Sequence, residues 1–221
     1  MIVHFSPEDL FHQIQNSLWL VRSGLEIEKG DAGSESDSQT VIRKEFDHLY
    51  DLFHHLSYLV LLKHSRDPQK ADLESVCPNS FARQVFEIFS LQATDYEFSY
   101  QDDLPQSLMV KTNPFWAREL LYVFVDNAFK HTPVGNRIEF RLELVDEERV
   151  AVKVCNFGVG ISQEDMAKVW EKHTSLNVET CGLGLGLGVA QTIADHLGVV
   201  LDLDSDGESY TRFTALFPII S

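Results

Sequence analysis

The chain has 221 residues and a formal net charge of −16, so no basic face is available to release counterions from a nucleic acid. With 44% hydrophobic and 24% charged residues it is globular material, and its scattered Cys77, Cys155 and Cys181 make neither a disulfide framework nor a zinc site. Apolar runs such as Tyr58 to Leu62 fall far short of a membrane span, and no signal segment follows Met1, so the expectation is a soluble, cytoplasmic protein.

Residues 1–68 read as a helical hairpin. Ser6 caps a helix, with Pro7 at its first position and Glu8 and Asp9 in its first turn. Phe11, Ile14, Leu18, Val21 and Leu25 then alternate steps of three and four, which is an a/d seam. Glu28 to Gln39 is a polar loop, after which Ile42, Phe46, Leu49, Phe53, Leu56 and Val60 resume the seam. Two such helices cannot bury their seams as a pair. Either a homodimer closes a four-helix bundle, or the hairpin packs on its own second domain.

Residues 72–221 change period. Phe81 to Leu91 reads as a helix, and Asn113-Pro114 starts another that runs to about His131. Strict alternation follows in Ile138, Phe140, Leu142 and Leu144, and after a VDEE turn in Val150, Val152 and Val154. A helix from near Leu185 to Leu197 precedes two strands, Val199 to Leu203 and Thr211 to Phe217, joined by DSDGES. The fold class expected is α+β, the hairpin being followed by a two-layer α/β sandwich.

Three segments of this second part carry chemistry together. In DNAFKHTP, Asp126 to Pro133, Asn127 offers an oxygen ligand for magnesium, and Lys130 offers a cation for phosphate on nearly the same helix face. In NFGVGIS, Asn156 to Ser162, Gly158 and Gly160 let backbone approach a flat ligand while Asn156 hydrogen-bonds it. In GLGLGLG, the glycines Gly182, Gly184, Gly186 and Gly188 open a helix whose bare N–H groups suit phosphate. Each segment alone is a weak signal; their order and spacing are what carry weight.

Taken in that order, the three segments resemble the N box and the two glycine boxes of the ATP-binding domain of two-component sensor histidine kinases. That domain has the Bergerat ATPase fold shared with gyrase and the ninety-kilodalton heat-shock chaperones. The resemblance implies ATP and Mg²⁺ as ligands, with Asn127 on the metal, Lys130 and His131 near the phosphates and Asn156 at adenine. It makes Ser162 to Thr180 a lid over the nucleotide, with Trp170, Lys172 and His173 where the family has a phenylalanine-containing box. Upstream, LLKHSRD is similar to the end of the family's second dimerisation helix. Counting back by the family's spacing lands on His12, whose context HQIQNSL is similar to the phosphoacceptor box. His12 falls beside the seam residue Phe11, off the buried stripe, and Asn16 stands where the family's phosphatase activity uses a polar residue.

Four positions depart from the family pattern. Gln13 replaces an acidic proton acceptor, and an amide is no general base at neutral pH. Ser17 replaces a proline, and Val123 stands where a second polar residue usually lies near the metal. Asn156 replaces the aspartate that reads the adenine amine, losing a charge-assisted bond on the order of 1 kcal/mol. Two readings follow. One is a soluble kinase core that phosphorylates His12 from ATP and passes the group to a response-regulator receiver aspartate. The other is a phosphotransfer or receiver-docking module with a decayed ATPase domain. A dimeric interaction protein with neither activity ranks last, since it leaves the glycine run unexplained. With so little chain before the first helix, input comes from a sensor protein in trans, or the chain is part of a longer one.

Overall fold

The computed structural model describes residues 73–91, 93–170 and 186–220, and the expected hairpin of residues 1–68 lies outside them. In chain order the elements are β1 (Glu74–Val76), α1 (Pro78–Ser90), a 3-10 turn (Ala93–Asp95), β2 (Glu97–Asp102), β3 (Val110–Thr112) and α2 (Pro114–His131). They continue with β4 (Arg137–Leu144), β5 (Arg149–Phe157), α3 (Gln163–Met166), α4 (Gly186–Leu197), β6 (Val200–Ser205) and β7 (Tyr210–Pro218). A five-stranded sheet runs β2-β4-β5-β7-β6, and β1 pairs separately with β3. Only the β2–β4 pairing in that large sheet is parallel.

The alternation read from the sequence decides which face is buried. Ile138, Phe140 and Leu142 of β4, Val150, Val152 and Val154 of β5, and Phe213, Ala215 and Phe217 of β7 all point into the core. Intervening residues carry charge to the opposite face, where Arg141 pairs with Glu139, Lys153 with Glu143 and Arg212 with Asp204. Half-exposed pairs of this kind add little stability and keep that face solvated. The helices cover the other face, giving the expected two-layer sandwich.

Helix α2 is the centre of the helical layer. Its start is fixed by Asn113, whose side-chain oxygen accepts from the N–H of Phe115 at 3.0 Å and of Trp116 at 3.2 Å, with Pro114 in the first turn. Such a cap contributes about 1 kcal/mol. Flanked by α1 and α4, it buries Ala117, Leu120, Leu121, Phe124, Val125 and Ala128. Gly198 ends α4 with φ +68°, a left-handed conformation that suits glycine after a helix.

Three strands were not foreseen, nor were the 3-10 turn and the short helix α3. β2 carries only Phe98 and Tyr100 as large apolar groups among charged and polar neighbours, too short a signal to separate from loop. The β1–β3 pair is three residues per strand and carries no periodicity at all.

Candidate functional site

Three segments converge at the end of the sandwich where β5 finishes: the strand's exit, the end of α2 and the β6–β7 turn. A Cβ added to Gly158 would lie 2.6 Å from the His131 carbonyl oxygen and 2.9 Å from Pro133 Cδ, so the exit of β5 rests on the end of α2. One added to Gly160 would lie 2.4 Å from the Glu208 nitrogen and 2.5 Å from the Gly207 carbonyl carbon, in the β6–β7 turn. Both distances are below any real Cβ contact, and the atoms met are mostly backbone. The fold itself therefore requires glycine at both positions, before any ligand is considered. Gly186 differs: among the described residues its Cβ would meet only Val123 Cγ1, at an ordinary 3.5 Å.

The end of α2 supplies the polar groups of DNAFKHTP. Asn127 donates its Nδ2–H to the Val123 carbonyl at 2.9 Å, which leaves Oδ1 as the atom able to ligate a cation. The Val123 side chain is buried against the start of α4, so it serves helix packing rather than the polar surface. Lys130 turns back to Asp126 at 2.7 Å, four residues earlier on the same helix. Asp126 is buried, and sequence reasoning passed it over although the i,i+4 spacing to Lys130 was legible. His131 is exposed on one side and crowded on the other. Desolvation and then the Lys130 ammonium hold its imidazole below the ordinary range, with Asp126 opposing.

Asn156 closes the core-facing row of β5. It is 2% exposed, and its Nδ2 has no hydrogen-bond partner among the described residues. A buried donor left so costs about 1–3 kcal/mol. Its neighbours in the sheet register are Ile138 and Thr211, both buried and neither ionisable.

The β6–β7 turn braces this row. Ser205 Oγ accepts from the Ile161 N–H at 2.9 Å and donates to the Tyr210 carbonyl at 2.5 Å. The Gly158 N–H donates to the Ser209 carbonyl at 3.0 Å. Within the turn the Asp206 carboxylate accepts from the Ser209 hydroxyl and from the N–H groups of Ser209, Glu208 and Tyr210. Those bonds hold it well below the usual carboxylate range. No sequence signal marks Ser205; Thr211 could have been found from its place in the alternating row of β7.

Of the lid stretch, residues up to Trp170 are described. Trp170 sets its ring edge-on to Phe213 at 5.8 Å, and Phe213 stacks on Phe124 of α2 at 5.2 Å. Lys172, His173, Gly182 and Gly184 lie outside the described residues, as do His12 and Asn16. Among the described residues no group of three His, Cys, Asp or Glu side chains could hold a metal, and no helix is long and apolar enough to cross a membrane.

Residues 112–220 match the family described as "Histidine kinase-, DNA gyrase B-, and HSP90-like ATPase". Signal transduction histidine-protein kinase ArlS of Staphylococcus haemolyticus is 25% identical over 219 residues, covering 95% of this chain and 47% of the relative. The chain thus spans about half the length of the curated relatives it matches. The mycobacterial sensor histidine kinase MprB shares the fold with TM-score 0.59 and 22% identity, over 66% of this chain and 97% of that one. Full-length ShkA in complex with AMPPNP aligns with TM-score 0.64 and 23% identity, over 96% of this chain and 45% of that one. The chain resembles the catalytic core of a sensor histidine kinase.

Proposed function

We propose that this chain is the core of a histidine kinase in two-component signalling, with residues 72–221 binding Mg-ATP and residues 1–68 forming the dimeric phosphoacceptor hairpin. The observation that carries the reading is Asn156, a buried carboxamide at the end of β5 whose donor is unmet among the described residues, two positions before the Gly158 that rests on the end of α2. That donor fits the ring nitrogen on a purine's polar edge, and its partner oxygen fits the exocyclic amine. Asn127 Oδ1 would hold Mg²⁺, whose other ligands would be phosphate oxygens and water, and the ion would supply charge neutralisation at the phosphates. Lys130 and His131 lie on the following turn of the same helix, and the first turn of α4 at Gly186 offers backbone N–H groups to phosphate.

In the reaction proposed, a neutral ring nitrogen of His12 forms a bond to the γ-phosphorus of ATP as the bond to the β,γ-bridging oxygen breaks. ADP leaves, and the imidazole proton passes to solvent, because Gln13 is no base. The phosphoryl group then moves to an aspartate of a response-regulator receiver domain, with Asn16 serving its later hydrolysis. A second reading draws on Val123, whose side chain serves packing where a second polar group would stand. It keeps His12 as a phosphotransfer residue and makes the ATPase domain a docking wall.

Labelled phosphate transfer from Mg-ATP to the purified protein, beside His12→Ala, separates the two. Acid-labile, base-stable label that vanishes in the variant is the expected result. No label, with His12 still accepting phosphate from a phosphorylated receiver, establishes the second reading instead.

A further inference from the structure

The row Val150, Val152, Val154 and Asn156 runs up the buried face of β5, and its last member alone is polar. The strand register sets Ile138 on one side of Asn156 and Thr211 on the other, so neither register neighbour brings a charge. Its Nδ2 is buried and without a partner among the described residues, so the side chain offers a donor there as well as an oxygen. Adenine shows a donor at its 6-amine beside an acceptor at ring nitrogen 1. Hypoxanthine and guanine show the reverse, an acceptor at the 6-oxygen beside a donor at nitrogen 1. A carboxamide meets either edge with two hydrogen bonds after a half-turn about χ2, a torsion that is broad and nearly two-fold for asparagine. A carboxylate there accepts only, so on either edge it pairs with the single donor, the 6-amine or the N1–H, and leaves the neighbouring acceptor unpaired.

We propose that this site does not discriminate at the purine 6-position, and that inosine nucleotides bind it about as well as adenosine nucleotides. The inference rests on the nucleotide-binding reading above and concerns only which base that site takes. Guanosine nucleotides share the 6-oxo edge and add a 2-amine, so they report separately on space at the neighbouring ring position.

The test is calorimetric titration of the full chain with ADP, IDP and GDP in the presence of Mg²⁺, with melting curves alongside. Diphosphates keep binding apart from phosphoryl transfer. The expected result is an IDP dissociation constant within tenfold of that for ADP, whatever GDP does. ADP binding with IDP more than tenfold weaker overturns the proposal and leaves the nucleotide reading intact. No binding by any of the three, and no melting shift, removes the nucleotide reading and this proposal with it. Asn156→Leu, checked for a native far-ultraviolet spectrum, removes both hydrogen-bonding atoms and should weaken ADP and IDP together, each at least about tenfold. A folded Asn156→Leu protein that keeps the parent's affinities for ADP and IDP also overturns it. If that variant does not fold, the ratio in the unmodified chain decides alone.

Discussion

Gly160→Ala puts one methyl group where the backbone of the β6–β7 turn already stands. The new carbon would have three neighbours inside contact distance: the Glu208 nitrogen at 2.4 Å, the Gly207 carbonyl carbon at 2.5 Å and Gly207 Cα at 2.8 Å. Non-bonded carbons prefer about 3.5–4.0 Å, so the turn or the β5 exit must move by about 1 Å. Neither moves freely. Ser205 ties Ile161 to the turn, and the N–H bonds to Asp206 fix the turn from within. Overpacking costs about 1–3 kcal/mol, and loss of the Ile161 bond adds about 1 kcal/mol, which places this variant near 3 kcal/mol. For a chain of this size that lowers Tm by about 6–12 °C. Urea unfolding of the full chain, followed by far-ultraviolet circular dichroism, measures it. A Gly160→Ala protein within about 0.5 kcal/mol of the parent, well below the overpacking range, would refute the steric reasoning.

Gly186→Ala meets only ordinary contact and should shift stability by no more than about 0.5 kcal/mol, yet weaken Mg-ADP at least tenfold; unchanged affinity in calorimetry would remove the first turn of α4 from the phosphate site. Lys130→Met removes the ammonium beside Asp126 and should cost about 1 kcal/mol while weakening Mg-ADP; a variant equal to the parent in both melting and titration contradicts the pairing. Asp206→Asn tests the turn by pH. The native carboxyl lies below its unfolded value, so its contribution is complete above about pH 4 and is lost as pH falls through the folded value. The Tm of the parent should therefore fall more steeply than that of Asp206→Asn between pH 4 and the acid limit, and parallel curves would count against the turn's role.

The sandwich was legible because most of its elements carry their own period. Ile138 to Leu142 and Val150 to Val154 alternate, and Asn113-Pro114 announces a helix through a cap that the structure realises with two hydrogen bonds. Where burial is shared among elements the period fades. β2 relies on packing of Phe98 and Tyr100 under Phe86 of α1, a long-range match that no local pattern encodes. The site was legible in the types of its residues, Asn127, Lys130 and Asn156, and not in their partners. Asp126 lay in plain view, but Ser205 joins loops 44 residues apart through one hydroxyl, and such a tie leaves no mark in the chain.

The glycines separate two kinds of evidence. Gly158 and Gly160 would be kept by any chain that folds this way, active or decayed, because their Cβ positions are filled by its own atoms. Their presence therefore says nothing about nucleotide binding. Gly186 meets no such obligation among the described residues, where only a methyl of Val123 stands in ordinary contact with the added atom. At the start of a helix a residue without that obligation would drift toward better helix formers, alanine being the first choice. The unpartnered Nδ2 of Asn156 points the same way, since a decayed pocket would be expected to replace a costly buried amide with an apolar group. The case for a working site thus rests on Gly186 and Asn156, the two positions where the fold alone would tolerate or prefer another residue.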